Sequence, residues 1–340
     1  MKRSRPLITG IAASIGMMAL ILDSKTALSG AAEGIELCVK TVIPALFPFF
    51  VLSVLLTGTV MGTELTVLRP VGKLCGIPKG AEAVLLTGLL GGYPVGAQCV
   101  SHAYKSNQLS KTDAQRMLGF CNNAGPAFLF GMSGLLFENK SVPILLWLIH
   151  VISAIITGIL LPGRSANTSL SPIQRRITVG QALHKSLIIT ATVCGWVVIF
   201  RIILSFAKRW FLWLFPHTVQ VLLTGILELT NGYLLLSAVK NESLRFILAS
   251  VFLGFGGLCV TLQTASVTSE AGLDLGYYFP GKLIQTVLSA LLSTITAGLL
   301  FKTEHIPYSP AITIFAGLTL AIILLTKRKN SSSIPAQSVV

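Results

Sequence analysis

The chain has 340 residues, of which 53% are hydrophobic and only 11% are charged. That balance is far from the composition of a soluble globular domain and excludes a soluble enzyme as the first interpretation. In a soluble protein the net charge of +14 would indicate a nucleic-acid partner. Here the Lys and Arg residues stand in short loops between apolar segments, which is typical of topology signals in a multi-pass membrane protein. The expected partner is therefore the lipid bilayer and not nucleic acid.

Apolar segments long enough to cross a bilayer recur along the whole chain. A hydrocarbon layer of about 30 Å requires roughly 20 helical residues at 1.5 Å per residue. The first such segment follows a basic start, a pattern shared by uncleaved first helices and secretory signals, and the lack of an A-x-A site favours the helix. Eight continuous spans are predicted, at residues 7–22, 37–61, 119–137, 142–161, 186–207, 246–263, 281–301 and 309–326.

Two further apolar segments, at 83–101 and 219–239, are interrupted at their centres. The breaks lie at residues 91–94 and at residues 228–232. Each half has about nine residues, or roughly 13 Å of helix, and reaches only the middle of a bilayer. Both segments are therefore predicted to be re-entrant helical hairpins, with full crossing as the alternative.

The two halves of the chain repeat the same order of features. Residues 85–88 and 222–225 both read Leu-Leu-Thr-Gly and open the two interrupted segments. If the first hairpin enters from inside and the second from outside, most Lys and Arg residues face the cytoplasm, as the positive-inside rule requires. That assignment counts Arg116 and Lys282 as inner-face charges and puts both termini in the cytoplasm. Paired interrupted segments in two inverted repeats indicate a transporter site at the midplane.

The predicted organisation follows from these repeats. It comprises an N-terminal transmembrane helix (1–30), a first repeat (31–162), a cytoplasmic connector (163–180), a second, inverted repeat (181–303), a C-terminal transmembrane helix (304–329) and a disordered tail (330–340).

In the first half, the unusual chemistry is concentrated at two breaks. Glycine lets backbone approach backbone or ligand, and Pro126 frees a carbonyl within its helix. Amide N–H groups at the start of a half-helix carry partial positive charge that suits a carboxylate, while freed carbonyls suit a cation. A packing kink is the alternative. The candidate substrate ligands here are Gly92, Tyr93, Pro94, Asn122, Asn123 and Gly125.

In the second half, Glu228 is an acid placed well inside an apolar segment. A carboxyl group there costs a few kcal/mol unless it is neutral, paired or hydrated. Glu228 is predicted to bind a coupling H⁺ or Na⁺ or to contact the substrate, with a protonated structural role as the alternative. Arg201 is expected to snorkel and His150 to pack. The other candidate ligands are Thr230, Asn231, Gly256, Gly257 and Gln263.

The sequence contains no complete enzyme motif. The sequence has no H-E-x-x-H, no G-x-S-x-G and no C-x-x-C pair, so its six cysteines are interpreted as packing residues. Residues 276–282 read G-x-x-x-x-G-K, but Leu283 follows where a phosphate loop needs Ser or Thr. The sequence predicts no catalysis, no metal and no cofactor beyond a coupling ion.

Four motifs, at residues 91–97, 121–126, 227–232 and 255–263, resemble those of the YlbJ-type sporulation integral membrane proteins. These belong to the wider group with the nucleoside-recognition, or Gate, domain. The resemblance covers roughly residues 30–300 and implies a fold similar to concentrative nucleoside transporters. It also implies dipicolinate transport by alternating access during endospore formation, in the outer forespore membrane. The alternatives are transport of a nucleoside or other small anion outside sporulation, and a non-transporting membrane scaffold; a homo-oligomer is expected.

Overall fold

A computed structural model describes residues 5–163, 170 and 177–301, with side chains from residue 10 onward. Within these ranges the regular elements are all helices. Their bounds are α1 (Arg5–Leu22), α2 (Ser24–Leu37), a π-helical turn (Cys38–Val42), α3 (Ile43–Val60), α4 (Arg69–Leu74), α5 (Glu82–Leu90), α6 (Val95–Lys105), α7 (Lys111–Leu118), α8 (Pro126–Leu136), α9 (Ser141–Leu160), α10 (Val179–Trp210), α11 (His217–Leu227), α12 (Leu229–Leu235), α13 (Glu242–Phe255), α14 (Gly257–Ser269) and α15 (Tyr278–Leu300), with short 3₁₀ turns at Leu212–Leu214 and Leu236–Ala238.

Five helical stretches of the described chain are long and apolar enough to cross a membrane. Three of them, α9, α10 and α15, coincide with the spans predicted at 142–161, 186–207 and 281–301. The span predicted at 309–326 lies outside the described residues, as do the tail and most of the connector. An all-helical, multi-pass membrane protein is therefore confirmed, while the number of eight spans stays a prediction.

The span predicted at 37–61 starts much earlier than expected. The helix runs without interruption from Ser24 to Val60, and the π-helical turn joins its two parts. It begins at Ser24 because the Asp23 carboxylate accepts a hydrogen bond from the Thr26 backbone N–H at 3.4 Å and caps the first turn. The predicted boundary between residues 30 and 31 falls inside this helix.

The span predicted at 119–137 is not one helix, and that prediction is wrong. The structure ends α7 at Leu118, continues through a non-helical segment at residues 119–125, and starts α8 only at Pro126. Gly125 is extended (φ −79°, ψ 156°), as expected for a residue before proline, and Pro126 then occupies the first turn of α8. The non-helical stretch is called the crossing segment below.

Both interrupted segments fold back on themselves as helical hairpins. In hairpin 1, α5 and α6 lie side by side, with the Thr87 hydroxyl 3.4 Å from the Cys99 sulfur. In hairpin 2, α11 and α12 pack so closely that a Cβ added at Gly232 would lie 2.2 Å from the Cα of Gly225. The predicted folding back is present in both, while entry from one side of a membrane and inverted repetition remain predictions.

Long helices surround these hairpins. The α2–α3 helix packs along α10, and small residues permit the contact because a Cβ added at Gly30 or Gly34 would lie 3.0 Å from an α10 Cα. On the other side, α15 packs against both α9 and α13. Apolar side chains such as Ile21 and Leu299 point outward and are 75% and 70% exposed, which suits contact with lipid.

One of the predicted inner-face charges is buried. Arg116 on α7 is 1% exposed, and its guanidinium donates to the carbonyl oxygens of Cys75 and Gly158, both at 2.6 Å, and of Pro162 at 3.1 Å. These carbonyls lie near the C-terminal ends of α4 and α9, where the helix dipole attracts a cation. Arg116 therefore connects three helices as a buried residue, while its assignment to the inner face stays a prediction.

Candidate functional site

Hairpin 1 rests directly on the backbone of the crossing segment. A Cβ added at Gly88 would lie 1.8 Å from the carbonyl oxygen of Cys121, and one added at Gly96 would lie 1.9 Å from it. At the hairpin tip, Gly92 has a φ of +80°, and a Cβ added there would lie 3.1 Å from the backbone nitrogen of Gly125. Gly88 and Gly96 require glycine because backbone meets backbone without room for a side chain, and Gly92 requires it because of its positive φ.

The two predicted asparagine ligands hold the crossing segment in place. Asn122 accepts a hydrogen bond from the Ala97 backbone N–H at 3.2 Å and donates to the Thr264 hydroxyl at 2.9 Å. Asn123 donates to the Phe120 carbonyl at 2.7 Å and accepts from the Gln285 side chain at 2.9 Å. Both are fully buried, so their amides join protein elements in this conformation.

The tip of hairpin 2 is organised by Glu228. Its carboxylate accepts hydrogen bonds from the backbone N–H groups of Thr230 at 3.0 Å and Asn231 at 2.7 Å, and from the Asn231 side chain at 2.6 Å. Glu228 is thus the N-cap of α12, with 2% of its surface exposed. Three donors compensate the charge of a buried carboxylate.

The break between α13 and α14 connects the two hairpin tips. Gly256 and Gly257 have φ values of +81° and +86°, which side chains rarely allow. A Cβ added at Gly257 would lie 3.2 Å from the Leu229 nitrogen of hairpin 2, and one added at Gly256 would lie 3.0 Å from the Tyr93 hydroxyl of hairpin 1. The predicted site residues therefore converge on one region.

A cavity of about 480 Å³ opens between the two tips. Its wall includes part of α3, the start of α8 and faces of α10 and α14. Among the predicted ligands, Tyr93, Gly125, Glu228, Thr230 and Gln263 line it. The remaining predicted ligands lie outside its lining; they are Gly92, Pro94, Asn122, Asn123, Asn231, Gly256 and Gly257.

The start of α8 borders this cavity. Ala127 and Phe128 line it and belong to the first turn of α8, where the N–H groups have no intrahelical acceptor. A helix N-terminus also carries partial positive charge, which favours an anion nearby. Phe128 also places an aromatic ring in the wall.

The sequence predicts Lys282 only as an inner-face charge, but the residue is buried at the site, while the side of the membrane on which it lies stays a prediction. It lies in the first turns of α15, is 1% exposed, and donates to the Tyr93 hydroxyl at 3.2 Å and to the Gln285 side chain at 2.8 Å. Its ammonium nitrogen lies 5.0 Å from the ring centre of Tyr93. A signal in the sequence was a polar stripe with helical spacing on α15. The buried members of that stripe are Lys282, Gln285, Thr286, Ser289 and Ser293.

His150 supports the crossing segment from α9. Its Nε2 accepts a hydrogen bond from the Ala124 backbone N–H at 3.1 Å, and the side chain is 1% exposed. Within the described part of the protein, its Nδ1 has no hydrogen-bond partner. One nitrogen therefore positions the segment and the other is an unused buried polar group.

Arg201 connects hairpin 2 to a second cavity. Its guanidinium donates to the Asn231 side chain and forms an ion pair with Glu33 of α2, so it does not simply extend to solvent as expected. The second cavity, of about 560 Å³, is lined by basic residues that include Lys208 and Arg209. Nearby, a hydrogen bond from Thr26 lowers the pKa of Asp23, and the Arg209 charge lowers it further.

Apolar membrane-length helices, two helical hairpins and a polar interior between the hairpin tips define an all-α, multi-pass membrane protein. Among curated proteins, the chain is similar to sporulation integral membrane protein YlbJ of Bacillus subtilis (strain 168), with 26% identity. The alignment covers 85% of this chain and 82% of that protein. The resemblance to YlbJ-type sporulation proteins is therefore confirmed.

No family model and no solved structure matches the chain. The Gate domain therefore stays a prediction, as does the similarity to concentrative nucleoside transporters.

Proposed function

We propose that this protein transports a small organic carboxylate across the membrane by alternating access, with the substrate held between the two hairpin tips. The observation that carries the proposal is the cavity of about 480 Å³ that both tips and the start of α8 line. Its volume lies within the range of small-molecule sites, roughly 300–1,000 Å³. Dipicolinate, a small aromatic dicarboxylate, is the specific substrate we propose.

The lining suits such a substrate. The first-turn amides of Ala127 and Phe128 supply donors for a carboxylate, and Gln263 adds a side-chain amide. The rings of Tyr93 and Phe128 are available for contact with an aromatic ring. The Glu228 carboxylate also lines the cavity, but its charge is compensated by three local donors.

The contacts around the cavity support alternating access. Each hairpin tip meets a break through glycine, at Gly92 with Gly125 and at Gly257 with Leu229. Backbone surfaces without interlocking side chains allow one element to shift past another at low steric cost. Movement of either hairpin would then change the cavity wall and its access.

The similarity to a sporulation integral membrane protein supports a place in endospore formation, and we propose the outer forespore membrane as the location. Ion coupling at Glu228, a homo-oligomer and cytoplasmic termini remain predictions. We propose no catalytic activity and no cofactor other than a coupling ion.

Uptake of labelled dipicolinate into proteoliposomes, with a nucleoside measured in parallel, tests the proposal. Two glycines of α8 give a matched pair of variants, because a Cβ at Gly131 or Gly134 meets nothing within 4 Å, yet only Gly131 lines the cavity. We expect saturable uptake that Gly131→Trp abolishes and Gly134→Trp preserves.

Other outcomes separate the alternatives. Nucleoside uptake alone would keep the transport route and change the substrate. Equal uptake by both tryptophan variants would contradict the cavity as the route. No uptake of either solute by well-folded protein would favour a membrane scaffold.

A further inference from the structure

We infer that Lys282 binds and releases one proton in each transport cycle, so that it is charged while an anion occupies the cavity and neutral while the cavity is empty. This inference rests on the proposed transport function and adds its coupling ion. It assigns coupling to a residue that differs from the predicted Glu228.

The first observation is that Lys282 is a buried basic side chain with no acidic partner in the part of the chain that the structure describes. Among the described residues, no carboxylate forms an ion pair with it. Its two hydrogen-bond acceptors, the Tyr93 hydroxyl and the Gln285 amide, are both neutral. An ammonium group has three N–H donors, so these two acceptors do not satisfy it fully.

The described elements packed around Lys282 supply no compensating charge either. The titratable groups that face it are Tyr93 from hairpin 1, Tyr278 from its own helix, His150 from α9 and Cys121 from the crossing segment. The adjoining face of α13 contributes Ser250, Leu253 and Gly254, and Arg116 of α7 is engaged with carbonyls. None of these groups is an acid that neutralises an ammonium.

A buried ammonium without a counter-charge is strongly unfavourable, and ring contacts offset only part of that cost. The neutral amine, in which Nζ keeps its lone pair, avoids the cost. An anion nearby reverses the preference, because attraction between opposite charges is strong in a medium of low dielectric constant. Proton occupancy of Lys282 is therefore linked to anion occupancy of its surroundings.

The second observation is the position of Lys282 relative to the cavity. Tyr93 lines the cavity while its hydroxyl accepts a hydrogen bond from Lys282, so one side chain separates the ammonium from the proposed substrate. Through Gln285, Lys282 is also connected to Asn123 of the crossing segment. A change in its charge therefore alters hydrogen bonds at the tip of hairpin 1 and at the crossing segment, both of which line the cavity.

The contrast with Glu228 supports this assignment. Glu228 has three donors within hairpin 2, which hold its carboxylate without any ligand. Lys282 has unmet hydrogen-bonding capacity, and the unpartnered Nδ1 of His150 is a further buried polar atom within range of its charge. An arriving anion therefore stabilises the charged form of Lys282, whereas Glu228 already has its hydrogen-bond donors.

The step balances with no reagent beyond the proton. On loading, a proton from the side to which the cavity is open joins the lone pair of Nζ as the anion enters. On release, the N–H bond breaks toward the opposite side as the anion leaves. One proton therefore accompanies each substrate molecule.

Two measurements on the same proteoliposomes test this step with dipicolinate as the probe. Exchange of internal for external dipicolinate needs no net proton movement, whereas accumulation driven by a pH gradient does. With the membrane potential clamped at zero, one proton per substrate and a gradient of one pH unit give about tenfold accumulation. A pH-sensitive dye inside the vesicles measures the accompanying proton influx.

We expect wild type to exchange and to accumulate about tenfold, and Lys282→Gln to exchange but not accumulate. Lys282→Arg, which keeps a permanent charge, should behave in the same way. Lys73→Gln removes an exposed lysine of α4 and should match wild type. Glu228→Gln should retain gradient-driven accumulation wherever it exchanges.

Several results would overturn the inference. These are wild-type exchange without proton-driven accumulation, accumulation by Lys282→Gln, and loss of exchange in both Lys282 variants. Accumulation lost only in Glu228→Gln would return coupling to that residue. An absence of exchange in wild type would instead refute the proposed transport of dipicolinate.

Discussion

Adding a single methyl group at Gly88 tests how much the contact between hairpin 1 and the crossing segment contributes to the stability of the protein. In Gly88→Ala the new Cβ would lie 1.8 Å from the Cys121 carbonyl oxygen, so the two elements must separate by at least about 1.2 Å to reach 3.0 Å. A backbone carbonyl cannot rotate away as a side chain can, so we expect a cost at the upper end of overpacking, about 3 kcal/mol. Alanine returns about 1 kcal/mol as a better helix former. The expected net loss of stability is about 2 kcal/mol.

The assay is the melting temperature of purified protein in detergent, followed by the loss of its monodisperse peak on heating. Gly134→Ala is the matched control, because it makes the same change in the exposed face of α8 with nothing within 4 Å. We expect Gly88→Ala to melt below wild type and Gly134→Ala to melt at or above it. Equal melting temperatures for the two variants would refute the backbone contact between hairpin 1 and Cys121.

Arg116 and the N-cap residue Asn241 can be tested in the same melting assay. Arg116→Lys keeps the charge but loses the planar group that reaches several carbonyls, so we expect a loss of about 2–4 kcal/mol, whereas Arg209→Lys at the surface should be neutral. Unchanged melting of Arg116→Lys would show that the carbonyl contacts contribute little. Asn241→Ala removes the N-cap that accepts from the Leu244 N–H at 2.7 Å and should cost about 1 kcal/mol. Asn241→Asp should restore the loss, and a loss equal to that of Asn241→Ala would exclude capping as its cause.

The features that the sequence predicts well are local ones. Gly92, Pro126 and Gly256 mark breaks because each has a backbone preference that an uninterrupted helix does not satisfy. The hairpins follow from the shortness of their halves. The early start of the second helix was missed because its first turns carry small and polar residues, and contact with α10 supplies their partner.

The charged residues illustrate what local reasoning leaves undecided. Arg116 and Lys282 stand at the edges of apolar segments, where a basic residue usually belongs to a loop. Their partners come from distant parts of the chain, such as Tyr93, which precedes Lys282 by 189 residues. Asn122 and Asn123 present the same difficulty, because an amide chosen for hydrogen bonding serves a ligand or a neighbouring helix equally well.

The two longest helices have a consequence for studying motion in this protein. The helix from Ser24 to Val60 has 37 residues and α10 has 32, which correspond to about 55 Å and 48 Å. Both exceed the roughly 30 Å of a hydrocarbon layer, so they must tilt or project into the aqueous phase. The two helices pack against each other through Gly30 and Gly34 and lie beside the hairpins. Spectroscopic labels on their projecting ends would provide a fixed origin from which displacements of each hairpin tip are measured.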